Sequence, residues 1–131
     1  MVNAVNTAAQ TVAVGSPVLF GSTRIQTGCT VRHEQGSGRF TFTRPGIYRV
    51  TFSGTFGTTE ASTAILDVTQ DGENVASAEI QATTAASPAV LSDSVTTLIQ
   101  VYCCNSSIAI INNSTVPLTI SNANVVIDRL C

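Results

Sequence analysis

The chain has 131 residues and a formal net charge of −2, from eight acids against six arginines and no lysine. Charged residues make up only 11% of the sequence and hydrophobic residues 44%, where a common soluble domain carries about 25% charged residues. This balance argues against a nucleic-acid binder, which needs a basic patch to displace counterions, and no run approaches the roughly 18–20 apolar residues of a membrane span.

The length predicts one domain over residues 1–131. With so little charge, hydroxyl and amide side chains must supply the polar surface, or surface must be lost to oligomerisation. The first fifteen residues, MVNAVNTAAQTVAVG, have no basic n-region and no unbroken apolar h-region. They do not read as a secretory signal, and the chain is expected to fold in a cytoplasm.

Taken in chain order, short strand-like runs alternate with turn residues. Thr11–Val14 and Val18–Phe20 flank Gly15-Ser16-Pro17, and Arg24–Thr27 and Cys29–His33 flank Gly28. The stretch Gly38–Phe56, GRFTFTRPGIYRVTFSGTF, places Phe40, Phe42, Tyr48, Val50, Phe52 and Phe56 on even positions and mostly polar residues on odd ones. Side chains on a strand alternate faces, so two strands with a buried aromatic face are predicted. Pro45-Gly46 suits the tight turn between them. Ala64–Gln70 and Glu73–Ile80 flank Asp71-Gly72, a strong hairpin signal.

Val95–Cys104 breaks the alternation. Val95, Ile99, Val101 and Cys103 fall on one face, Leu98, Tyr102 and Cys104 on the other. A strand apolar on both faces is covered on both, and a neighbouring subunit is one such cover. Ile108–Ile111, Leu118–Ile120 and Val125–Leu130 complete about ten strands with no convincing helix. Many short strands in a compact chain predict an all-β antiparallel sandwich of the jelly-roll type.

Little of the chemistry-bearing inventory converges. The four cysteines, Cys29, Cys103, Cys104 and Cys131, read as reduced and mostly buried, because nothing indicates an oxidising compartment. The single histidine, His33, has Arg32 and Glu34 as neighbours and is expected at the surface or an interface. Ser37 sits between two glycines but lacks the strand–turn–helix context of a nucleophile elbow. The eight acids are scattered, and Asp71 and Glu73 read as turn residues rather than calcium ligands. The Asn-x-Ser/Thr triplets beginning at Asn105, Asn112 and Asn113 read as turns. The five arginines from Arg24 to Arg49 read as a solvated or interface face rather than a phosphate-binding patch. No catalytic residue, metal or cofactor is expected.

The segment Gly38–Phe52 resembles a C1q/TNF-like superfamily signature, G-x-F-x-x-x-x-P-G-x-Y-x-F/V, at Gly38, Phe40, Pro45, Gly46, Tyr48 and Val50. The bacterial branch, similar to the C-terminal domain of exosporium collagen-like glycoproteins, shares the short loops and hydroxyl-rich composition. The resemblance implies a ten-stranded jelly roll that trimerises around a threefold axis. By position it makes Tyr48, Phe52, Leu98, Ile99 and Tyr102 candidates for either the inner core or the trimer seam. Relatives follow a collagen-like stalk or a membrane anchor, and this sequence contains no Gly-x-y repeat.

The expectation is therefore a homotrimeric, non-enzymatic structural protein of a phage virion, assembled in the host cytoplasm with other virion proteins. It would decorate a capsid or form part of a head or tail fibre, with residues 1–10 a candidate attachment arm. The alternative is a receptor- or glycan-binding module on a virion, spore or cell surface. The absence of Trp and the presence of only two Tyr weaken a glycan reading based on aromatic stacking.

Overall fold

The structure, a computed structural model, describes residues 1–28, 30–58, 63–83, 89–102 and 106–130. All four cysteines and Asn105 lie outside these residues, so the readings placed on them do too. Among the described residues there are eleven strands: β1 (Val2–Asn6), β2 (Gln10–Val12), β3 (Ser22–Gln26), β4 (Val31–His33), β5 (Phe40–Phe42), β6 (Gly46–Thr58), β7 (Thr63–Gln70), β8 (Glu73–Thr83), β9 (Ala89–Val101), β10 (Ser106–Asn112) and β11 (Leu118–Arg129).

They form two antiparallel sheets. Sheet one runs β3-β1-β11-β6-β9, with β2 paired to the first part of β11; sheet two runs β4-β5-β10-β7-β8. The core lies between them. All five phenylalanines, Phe20, Phe40, Phe42, Phe52 and Phe56, are at most 1% exposed, and Tyr48 is fully buried. Phe20 meets Phe40 and Phe52 edge-on, with ring centroids 5.5 and 6.3 Å apart, the geometry aromatic quadrupoles prefer.

The two halves of the aromatic stretch do not pair with each other. β5 belongs to sheet two and β6 to sheet one, so Pro45-Gly46 is a crossover between sheets rather than a hairpin turn. Gly46 has φ 152°, which a Cβ would disfavour. Phe42 and Tyr48 then face one another across the core with centroids 4.5 Å apart. The Tyr48 hydroxyl donates to the Arg44 carbonyl at 2.7 Å, closing the crossover. Gly38 earns its place differently: a Cβ there would lie 2.6 Å from the Val18 carbonyl oxygen and 3.0 Å from Pro17 Cβ.

Asp71-Gly72 forms the expected hairpin, with Gln70 opposite Glu73 and φ of 52° and 88° at the two turn residues, the signs a type I′ turn requires. Elsewhere the strands differ from expectation. β1 occupies the interior of sheet one between β3 and β11, so most of the candidate attachment arm is built into the sheet. The last two expected strands are one, β11, kinked where its register with β6 shifts between Ser121 and Asn124. Asn122 there has φ 52°, tolerated best by Asn among side-chain-bearing residues.

Asn112 is fully buried where the two sheets meet. Its amide donates to the carbonyls of Val12 (3.0 Å) and Val116 (3.2 Å), and its side-chain oxygen accepts from the Ser114 N–H (3.0 Å) and hydroxyl. One side chain thus ties β2, β10 and the loop before β11. Asn112→Leu should lower unfolding stability by about 2–4 kcal/mol in urea titration, because several buried polar groups lose their partner. Gly38→Ala should cost about 1–3 kcal/mol in the same measurement, since the clash is with backbone.

Candidate assembly surface

The outer face of sheet one is formed by the odd positions of β6 and their cross-strand partners. Thr51 faces Thr96 with hydroxyls 3.2 Å apart, and Thr55 faces Ser92 at 3.1 Å. On the β11 side, Arg49 forms a two-pronged ion pair with Asp128, Nε to Oδ1 at 3.2 Å and Nη2 to Oδ2 at 2.7 Å. Asn3, 5% exposed, donates to Asn124 Oδ1 at 2.6 Å and the Val125 carbonyl at 3.0 Å, and accepts from Arg24 at 3.1 Å. Neutral hydrogen bonds, with the Arg49–Asp128 pair and one arginine donor, thus knit this face.

One end of it is apolar. Leu98, opposite Arg49, is 57% exposed, and Leu130, whose N–H donates to the Ile47 carbonyl, is 45% exposed. Tyr102 is 79% exposed and donates its hydroxyl to Gln100 Oε1 at 3.0 Å. Gln100 is the partner of Ile47, so Ile47, Leu98, Tyr102 and Leu130 gather at the β6–β9–β11 end of the sheet.

The five residues placed at core or seam therefore separate. Tyr48 and Phe52 are fully buried and Ile99 is 3% exposed, all pointing between the sheets; Leu98 and Tyr102 point out. In a single chain the outer side of β9 is uncovered.

The remaining chemical candidates take structural roles. His33, expected at the surface or an interface, is only 7% exposed in the single chain. Its ring stacks on Phe40 at 4.5 Å, Nδ1 lies 2.6 Å from the Thr23 hydroxyl, and Nε2 lies 2.8 Å from the Ser37 carbonyl oxygen. The carbonyl can only accept, so Nε2 carries a proton, and the Thr23 hydroxyl, which can donate or accept, pairs with Nδ1. Alternation alone could have placed His33 inward, since it is two residues from buried Val31 on β4. Asp71 accepts from the Ser106 hydroxyl at 2.7 Å and the Ser107 N–H at 2.9 Å, pinning the β7–β8 turn to β10. Among the described residues no group of three or more His, Cys, Asp or Glu is placed to hold a metal ion.

One carboxyl pair forms only through strand register. Asp67 and Glu79 are opposite each other on β7 and β8, on the outer face of sheet two. Asp67 is buried and accepts from the Asn113 amide. A hydrogen bond that its protonated form donates to Asp67, then the charge of Asp67, then a slight loss of hydration hold the Glu79 carboxyl above the ordinary glutamate range.

No family model matches this sequence, and no curated protein is similar to it. Solved structures are similar in fold. Murine APRIL superposes with a TM-score of 0.67 at 12% identity, covering 98% of each chain. The Eiger TNF of S. frugiperda gives 0.71 at 10% identity, over 99% of this chain and 91% of that one. Vertex protein P5 of phage PRD1 gives 0.57 at 12% identity, over 99% and 96%. The chain thus has a C1q/TNF-like jelly-roll fold, as the Gly38–Val50 signature implied.

Since Glu79 is easier to protonate in the folded chain than in the unfolded one, its contribution to stability is full at low pH and lost as pH rises through its folded-state value. Glu79→Gln removes that loss. The melting temperature of the variant relative to the parent should therefore climb as pH rises above the ordinary glutamate value of about 4.3, as measured by calorimetry over a pH series.

Proposed function

We propose that this chain is a non-enzymatic, homotrimeric structural protein and a phage virion component, decorating a capsid or forming part of a head or tail fibre. The observation that carries the self-association is the apolar end of sheet one, where Leu98, Tyr102 and Leu130 stand in solvent around a hydroxyl-bonded sheet face. Soluble monomers rarely leave such residues gathered in one place. The fold likeness to a phage vertex protein supports the virion setting. The low charge, with 11% charged residues, supports a surface meant to be covered.

In this reading the ladder of Thr51, Thr96, Thr55 and Ser92 fastens β6 to β9, and Leu98 and Tyr102 supply the anchoring contacts. Closed rotational symmetry then makes each copy bury the same patch. The core residues Tyr48, Phe52 and Ile99 hold β6 and β9 in place beneath it.

Light scattering at two concentrations should give three times the 13.6 kDa chain mass. Leu98→Glu should reduce that mass to one chain while leaving the circular dichroism spectrum unchanged, because the side chain is exposed. A monomeric parent protein would overturn the trimer. Purified virions that lack the chain by mass spectrometry would overturn the virion setting.

A further inference from the structure

The outer face of sheet two, on the opposite side of the sandwich from the assembly surface, carries two adjoining depressions. One, of about 320 Å³, is bounded by Pro17, Ser37, Arg39, Thr69, Ser107 and their neighbours. The other, of about 300 Å³, is bounded by Arg32, Glu34, Ser37, Arg39 and Thr41. Each is near the lower limit of ordinary small-molecule sites. Ser37 and Arg39 belong to both, so Arg39 stands on the ridge between them.

Register places the two arginines close together. Arg32 is opposite Thr41, and Arg39 is two residues before Thr41 on the same face. Diagonal neighbours of this kind are roughly 7–8 Å apart between Cα atoms. Two like charges at that spacing repel. Glu34 lines the same depression, yet the one ion pair among the described residues is Arg49–Asp128. Asp71, beyond Gly72 at the far rim, spends its carboxylate on Ser106 and Ser107. The side chains of Arg24, Arg49 and Arg129 have hydrogen-bond partners; among the described residues those of Arg32, Arg39 and Arg44 have none, and of these three only Arg32 and Arg39 line the depressions. A guanidinium binds a planar oxyanion through two parallel hydrogen bonds, so the pair is arranged to receive one.

The walls indicate what carries the oxyanion. The Ser37 oxygen accepts from the Arg39 N–H at 3.0 Å, which leaves its own proton to donate. Thr69 donates to the Ala109 carbonyl at 3.0 Å and can still accept. Thr41 and Ser107 add two more hydroxyls, while Pro17 and Ala109 add apolar lining. Hydroxyls interspersed with apolar lining suit a pyranose, whose edges are polar and whose C–H face is not. A net charge of −2 disfavours a polyphosphate strand.

We propose that these depressions form a binding site for an acidic saccharide, two sugar rings long, whose carboxylate is clasped between Arg32 and Arg39. The site does not depend on the trimer or on the virion setting.

The test is a titration of the isotope-labelled full chain, followed by amide and arginine Nε–H resonances. The probe is the disaccharide of glucuronate and N-acetylglucosamine. It should produce saturable shifts in residues 37–41 and 107–109, and Arg39→Gln and Arg32→Gln should each weaken binding by about tenfold or more. Both side chains are exposed, so these variants should keep the parent's fold and solution mass. Absence of shifts there would overturn the site. Equal binding of neutral chitobiose would overturn the role of the arginines. Equal binding of acetate or inorganic phosphate would overturn the saccharide.

Discussion

The structure depends on one constraint: the aromatic alternation of residues 40–56 must fill a single core from two opposite sides. Phe40 and Phe42 reach in from sheet two, and Tyr48, Val50, Phe52 and Phe56 from sheet one. The Pro45-Gly46 crossover makes this possible within six residues of chain, from Phe42 to Tyr48. The Tyr48 hydroxyl on Arg44 and its ring against Phe42 secure the crossover at both ends. This accounts for the spacing in the signature. Gly38 lets the chain pass under Val18, Phe40 enters the core, Pro45 and Gly46 change sheet, and Tyr48 locks the change. The phenylalanines, each burying ~150–250 Å², make this the largest apolar payload in a domain with few charges.

From that core the outer faces acquire opposite characters. β6 lies between β11 and β9 and makes the most extensive pairing in the molecule, thirteen positions against β9. Its outward residues are Ile47, Arg49, Thr51, Ser53 and Thr55, so sheet one presents hydroxyls with an apolar end. β4, β5 and β10 are shorter, and Pro17 bridges to Ile111 beside β10. The outer face of sheet two carries the two depressions that share Ser37 and Arg39.

Much of this was legible in the sequence. The even-numbered aromatics gave the buried face, and Asp-Gly gave the one hairpin with a two-residue turn. The failures have physical reasons. β1 contains two asparagines in five residues, and it is held by pairing on both edges rather than by propensity. The first half of β9 shows almost no alternation, because its outer positions Ser92, Ser94 and Thr96 resemble loop residues. A turn and a sheet crossover share the dipeptide Pro-Gly, so only the partners of β5 and β6 could separate them. The alternation of β4 already turns His33 inward, whereas the burial of Asn112 depends on Val12, a hundred residues away. Leu98 and Tyr102 stand on the opposite face of β9 from Ile99 by simple alternation, but the depressions at Arg39 needed four strands in register before they existed.

The scarcity of charge has a consequence for the environments in which the molecule keeps its shape. Ionic screening shortens the reach of charge–charge forces from about 30 Å in dilute solution to about 3 Å in molar salt. A fold braced by ion pairs would feel that change. Here the bracing side chains are Asn112, Asn3, Tyr48, His33 and the paired threonines, joined mainly by bonds between neutral groups. The Arg49–Asp128 pair is exposed and worth ~0–1 kcal/mol. The scaffold is therefore nearly indifferent to whether it sits in fresh water or brine, and the pocket at Arg32 and Arg39 is the place where salinity would be felt.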